Sequence, residues 1–171
     1  MVKARRSIER TLGPIDGPLK IFYSHPFYMI DDWQRVHRQL DIGWADCYVK
    51  LAPNKFSILE ASRNLHADIQ VRVLEADVLL VPARPLREER RGWIRFELAT
   101  AQSFGIPILP ISFEYGGKTA KWIIERAGRP QIPIANLRAE ILKALPIERK
   151  YAFEALVFRE RKLLNTKRVS A

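Results

Sequence analysis

The chain has 171 residues, 47% of them apolar, enough for one domain with a real core and with no sign of a second. No run of about 18 apolar residues is present to cross a membrane, and the charged start (Lys3, Arg5, Arg6, Glu9, Arg10) lacks the apolar stretch of a signal peptide, so a cytoplasmic protein is expected. The net charge of +10 invites a nucleic-acid reading, but the basic residues are scattered or gathered at the two ends with no recognition motif, which disfavours it; the single Cys47 and the three His show no metal spacing.

Residues 1–19 hold Gly13, Pro14, Gly17 and Pro18 without sustained periodicity and read as a leader, partly ordered at most. Lys20 to Ser24 forms a first strand running into His25-Pro26-Phe27. Asp31 or Asp32 then caps a helix carrying Trp33, Val36 and Leu40 at helical spacing. Cys47 to Leu51 is a second strand, broken by Pro53-Asn54, and about Ser57 to Glu75 is mostly helical, with Val71 and Leu74 as apolar positions.

Ala76 to Val81 is a third strand, with Asp77 holding backbone amides at its start. A charged loop over Ala83 to Gly92 leads to a helix bearing Trp93 and Glu97 on one face, and Gly105 to Ile111 is a fourth strand. Tyr115-Gly116-Gly117 is a turn and Thr119 to Arg126 a short helix. Gln131 to Ile134 is an edge strand, because Pro130 and Pro133 cannot donate to a ladder. Asn136 caps a helix that Pro146 ends, and Glu148 to Lys162 is an amphipathic basic helix whose Phe153, Leu156, Val157 and Phe158 pack on the domain or on a second subunit.

Alternating strands and helices predict an α/β, flavodoxin-like domain over 20–146: a parallel sheet of four or five strands flanked by helices, with an extra C-terminal helix and tail over 147–171. In such a sheet ligands sit beyond the carboxyl ends of the strands, which is where Glu97 and the loop before its helix lie.

The order of these pieces resembles the TIR domain, most closely the bacterial TIR-like proteins of Thoeris-type anti-phage defence. The resemblance spans roughly Lys20 to Ser112. It rests on Ile21-Phe22-Tyr23-Ser24-His25, on Asp31-Asp32-Trp33, on the step Val73 to Val81, and above all on Trp93-x-x-x-Glu97 followed by Ala101 and the Gly105-Ile106-Pro107-Ile108 strand. Gly92 and Ile94 flanking the tryptophan, and the dense charge of Arg84 to Arg91, depart from the usual pattern.

The resemblance implies cleavage of the nicotinamide–ribose bond of NAD, used as substrate with no cofactor or metal, giving ADP-ribose or a cyclic variant. Glu97 would be catalytic, as an ionised carboxylate facing an oxocarbenium-like transition state. Tyr23, Phe27 and Trp93 would stack on the rings, Ser24 and His25 would contact substrate at the end of the first strand, and Arg84, Arg87 or Arg91 would hold the pyrophosphate. It also implies a homo-oligomer on activation and a separate effector protein reached through a nucleotide signal. Two other functions fit the same pieces: a non-catalytic TIR-like interaction or scaffold protein, in which Glu97 only favours the helix dipole, and a nucleoside deoxyribosyltransferase-like N-glycosidase, against which Trp93 argues.

Overall fold

Period-two alternation in the strands sorts the apolar side chains onto two faces of one sheet. Val78 and Leu80 join one buried cluster, Leu79 and Val81 the other; Ile21 and Tyr23 part from Phe22 in the same way, and Leu109 and Ile111 from Ile108. A sheet buried on both faces needs helices on both, and parallel pairing supplies them through its crossovers.

The computed structural model describes residues 15–24, 29–50, 65–86, 88–113 and 118–169. Five parallel strands, β1 (Leu19–Tyr23), β2 (Tyr48–Lys50), β3 (Val78–Pro82), β4 (Ile108–Ser112) and β5 (Ile132–Pro133), lie in the order β2-β1-β3-β4-β5. This is the flavodoxin-like order. The chain steps outward from β1 to β2, then returns to the far side of β1 to lay down β3, so the strand order reverses between β1 and β3. A crevice opens beyond the carboxyl ends at such a switch point.

Six α-helices flank the sheet among the described residues: α1 (Ile30–Trp44), α2 (Leu65–Glu75), α3 (Glu88–Ser103), α4 (Lys121–Ala127), α5 (Leu137–Ala144) and α6 (Ile147–Val169), with a 3-10 turn at Ile134–Asn136. One face packs against α1, α5 and α6 through Val36, Leu40, Trp44, Leu137, Ile141, Phe153 and Val157. The other packs against α2, α3 and α4 through Ile69, Val73, Ile94, Leu98, Ala101 and Ile123.

Several local expectations shift. In α2 the buried stripe is Ile69 and Val73, while Val71 is exposed. Asn136 makes no side-chain cap bond at α5. The helix carrying Glu97 starts at Glu88 rather than after Gly92, absorbing most of the charged loop. Trp93 therefore sits in its second turn and Glu97 in its third, beyond the reach of the helix dipole's positive end. Residues 115–117, where a turn is expected, and 57–64, where a helix is expected, lie outside the described residues.

Asp77 holds the amino edge of the sheet. Its Oδ2 accepts the Lys20 N–H at 2.9 Å and its backbone N–H donates to the Lys20 carbonyl at 2.7 Å. Arg149 on α6 closes the corner with all five of its N–H donors in use: Nε and Nη2 to the two Asp77 oxygens, and the others to the carbonyls of Ile15, Gly17 and Pro18. Ile15 to Pro18 are thus tied to the domain through α6.

Candidate active site

β1 ends where the crevice opens, and its alternation continues one residue past the strand. Ser24 N–H still donates to the Leu80 carbonyl at 2.8 Å, so Ser24 faces the side of the sheet that Phe22 faces, toward α3. There Ser24 Oγ donates a short hydrogen bond to Glu97 Oε2. α3 buries Ile94, Leu98 and Ala101 against the sheet, and Glu97 falls on that same stripe, which leaves it only 4% exposed.

A carboxylate so placed loses most of its hydration. Burial pushes the Glu97 carboxyl up to about 7, and the Ser24 hydroxyl, which favours the ionised form, pulls part of the way back. The group therefore exchanges protonation states near neutral pH, where an acid or base of catalysis must work.

Tyr23 points the other way, toward α1, into a second polar group. Asp32 is 2% exposed and pairs with Arg84, which follows β3, at 2.5 Å. Burial raises the Asp32 carboxyl above its ordinary value, with the guanidiniums of Arg84 and Arg35 opposing and Asp31 adding to the rise. The Tyr23 phenol is held well above its usual range by burial and by Asp32, so it remains a neutral hydroxyl. Arg84 keeps a buried Nε–H that finds no acceptor among the described residues.

The two groups flank the β1/β3 boundary from opposite faces. Of the residues expected there, Ser24 and Glu97 meet directly, and Tyr23 and Arg84 share the field of Asp32. Trp93 lies half-buried one turn before Glu97, its ring tilted against His66 of α2 with centroids 4.5 Å apart, which makes it part of the α2–α3 contact. Arg91 turns back to donate from Nε to the Leu86 carbonyl at 3.2 Å. His25, Phe27 and Arg87 lie outside the described residues.

Asp32 is one of the two aspartates, with Asp31, that the sequence offers as the cap of α1. It makes a buried ion pair instead, and the signal was in its spacing: Asp32, Val36, Leu40 and Trp44 are four apart and all buried, so the aspartate sits on the apolar stripe. A charged residue on such a stripe is buried only with a partner.

Among the described residues no helix is long and apolar enough to cross a membrane, and no cluster of three or more His, Cys, Asp or Glu could hold a metal ion. Comparisons with protein-family models, with curated proteins and with solved structures find no match to this chain.

Proposed function

We propose that this protein is a TIR-like enzyme that cleaves the nicotinamide–ribose bond of NAD, with Glu97 as its catalytic carboxylate. One observation carries the reading: a buried carboxyl with its pKa raised to about 7, hydrogen-bonded to Ser24 at the switch point of a parallel sheet. In this reaction the C1′–N bond breaks and its electron pair stays with nicotinamide, which leaves as a neutral base and needs no general acid. Positive charge develops on the ribose, and the ionised Glu97 carboxylate stabilises it. Water then attacks C1′ to give ADP-ribose, or a hydroxyl or ring nitrogen within the same molecule attacks to give a cyclic product, with loss of one proton to the carboxylate or to solvent.

The partly exposed guanidinium of Arg84, held by Asp32, is the cation nearest the crevice for the pyrophosphate. A small nucleotide product suits a signal read by a separate effector, and bacterial anti-phage defence, in the cytoplasm and with assembly on activation, is the setting that the resemblance suggests. A non-catalytic, scaffolding role draws on the Trp93–His66 stack, which gives the tryptophan a packing partner without any ligand.

The test is mass spectrometry of the products after incubating the full chain at high concentration with NAD, and in parallel with a purine nucleoside. Nicotinamide release that disappears in Glu97→Gln supports the proposal. Release of free base from the nucleoside alone would favour the N-glycosidase reading, and inertness toward both would favour the scaffold.

A further inference from the structure

α6 presents two stripes of opposite character. Arg149, Phe153 and Val157 are buried and fasten it to the domain. On its other side Tyr151, Ala155, Phe158, Lys162 and Asn165 follow one another by steps of four, three, four and three and are all exposed, with Ile147 one turn ahead of them. Such steps keep residues on one seam of a helix. Ile147, Tyr151 and Phe158 are 63, 62 and 71% exposed, so the apolar part of the seam has no cover on this chain.

The end of the helix lacks support as well. From Arg161 to Arg168 every residue is exposed, Leu163 and Leu164 among them, so about two turns stand beyond the domain. A free helix end of that length is marginal in water and gains from a second surface. Charge selects that surface. In the second half of α6, Arg159, Arg161, Lys162, Lys167 and Arg168 outweigh Glu160; in the first, with Arg149 paired to Asp77, Glu148 and Glu154 outweigh Lys150. Neither Glu148 nor Glu154 makes an ion pair among the described residues. A second copy laid antiparallel sets the basic half of each helix against the acidic half of the other, whereas a parallel copy sets Lys162 against Lys162 and the two basic ends together.

We propose that α6 pairs antiparallel with α6 of a second copy of this chain, forming a symmetric dimer through the seam that faces away from the sheet. The seam places Phe158 on the partner's Ala155, large against small, and lays the Lys162 stem along the partner's Tyr151. On the flank Glu154 meets the partner's Arg161, whose contact within its own chain is an exposed bond to the Gly43 carbonyl at 3.3 Å. Both domains lie outside the helix pair, because each seam is opposite its own buried stripe. A bilayer suits the seam less, since Phe158, Leu163 and Leu164 stand on three sides of the helix and make no single apolar face. The dimer does not rest on the NAD reading, because α6 covers the sheet face opposite Glu97.

The experiment is sedimentation equilibrium of the full chain from about 1 to 300 µM, with each variant melted at the low end to show that its monomer is folded. With so short an apolar seam, wild type should pass from monomer to dimer at about 10–100 µM. Phe158→Asp should stay monomeric throughout. Glu154→Arg and Arg161→Glu should each weaken the dimer about tenfold, and the two together should restore it, because the charges then exchange places. In a parallel pair Glu154 would face Arg159 instead, and the double exchange would rescue nothing. A monomer at every concentration, a dimer that survives Phe158→Asp, or no rescue in the double variant would each overturn the proposal. Binding of a monomeric chain to phosphatidylserine vesicles, lost in Phe158→Asp, would also overturn it and give the seam to an anionic membrane.

Discussion

A carboxyl buried to 4% exposure and titrating near 7 sets the behaviour of the candidate site at the residue scale. If the ionised form of Glu97 is the active one, NAD cleavage should rise with pH through about 7 and level off above it, which initial rates between pH 5.5 and 8.5 would record. Glu97→Gln removes the charge with little change of shape, so the rate should fall about a hundred- to a thousandfold. Retention of more than a third of the activity would assign Glu97 a structural role. Its folded pKa lies above the ordinary 4.5, so its contribution to stability is fully present below 4.5 and is lost as pH rises through about 7. That loss is on the order of 3 kcal/mol, and the glutamine variant escapes it: its Tm should exceed that of wild type by about 6–12 °C at pH 8 and nearly match it at pH 5. Ser24→Ala deletes the hydrogen bond that, among the described residues, favours the ionised form. The rising limb of the pH profile should then move up by about one unit.

At the scale of the element, α6 shows how a helix can be anchored by one saturated cation and one aromatic ring. Arg149 is 8% exposed and Phe153 fully buried, its ring set edge-on to Trp44 at 4.9 Å. Arg149→Ala leaves the partly buried Asp77 without its ion-pair partner, with only the Lys20 N–H still donating to it, and should cost about 2–3 kcal/mol in a urea melt; lysine, a point donor, should rescue little of it. Phe153→Ala should cost about 3–5 kcal/mol. Of the four residues that the sequence places against the domain or a second subunit, Phe158 is 71% exposed on this chain, because the helix turns it away from the sheet. Phe158→Asp should therefore stay within about 0.5 kcal/mol of wild type. α1 is shaped by a different device. Gly43, at φ 81°, breaks its last turn so that Trp44 can enter the core, and a Cβ there would also meet the Arg161 guanidinium at 2.6 Å.

At the scale of the whole molecule the described residues form one sheet with two cores, and Ile15 to Pro18 and α6 close the same corner of it. A chain starting at Ile15 keeps every carbonyl that Arg149 uses and should melt like the full protein. One starting at Leu19 loses three of the five acceptors and should melt at a clearly lower temperature. Equal melting of the two would show that these bonds contribute nothing to stability.

The alternation of short apolar runs with amphipathic helices, and the prolines beside the last strand, determined the α/β class, the order of the elements and the edge position of β5. These are local signals, carried by periodicity within a few turns or a few strand residues. The strand that ends in Tyr23-Ser24, the aspartate at the start of β3 and the helix bearing Trp93 and Glu97 were legible for the same reason. Only the tertiary structure decided who meets whom: Ser24 with Glu97 across 73 positions, Arg149 with Asp77 across 72, and Arg84 with Asp32. Such pairs leave no periodicity in the sequence beyond a charged residue standing on an apolar stripe, as Asp32, Glu97 and Arg149 do. That stripe marks a buried charge, but its partner comes from another strand or helix, and the crossovers that fold the sheet bring the two together.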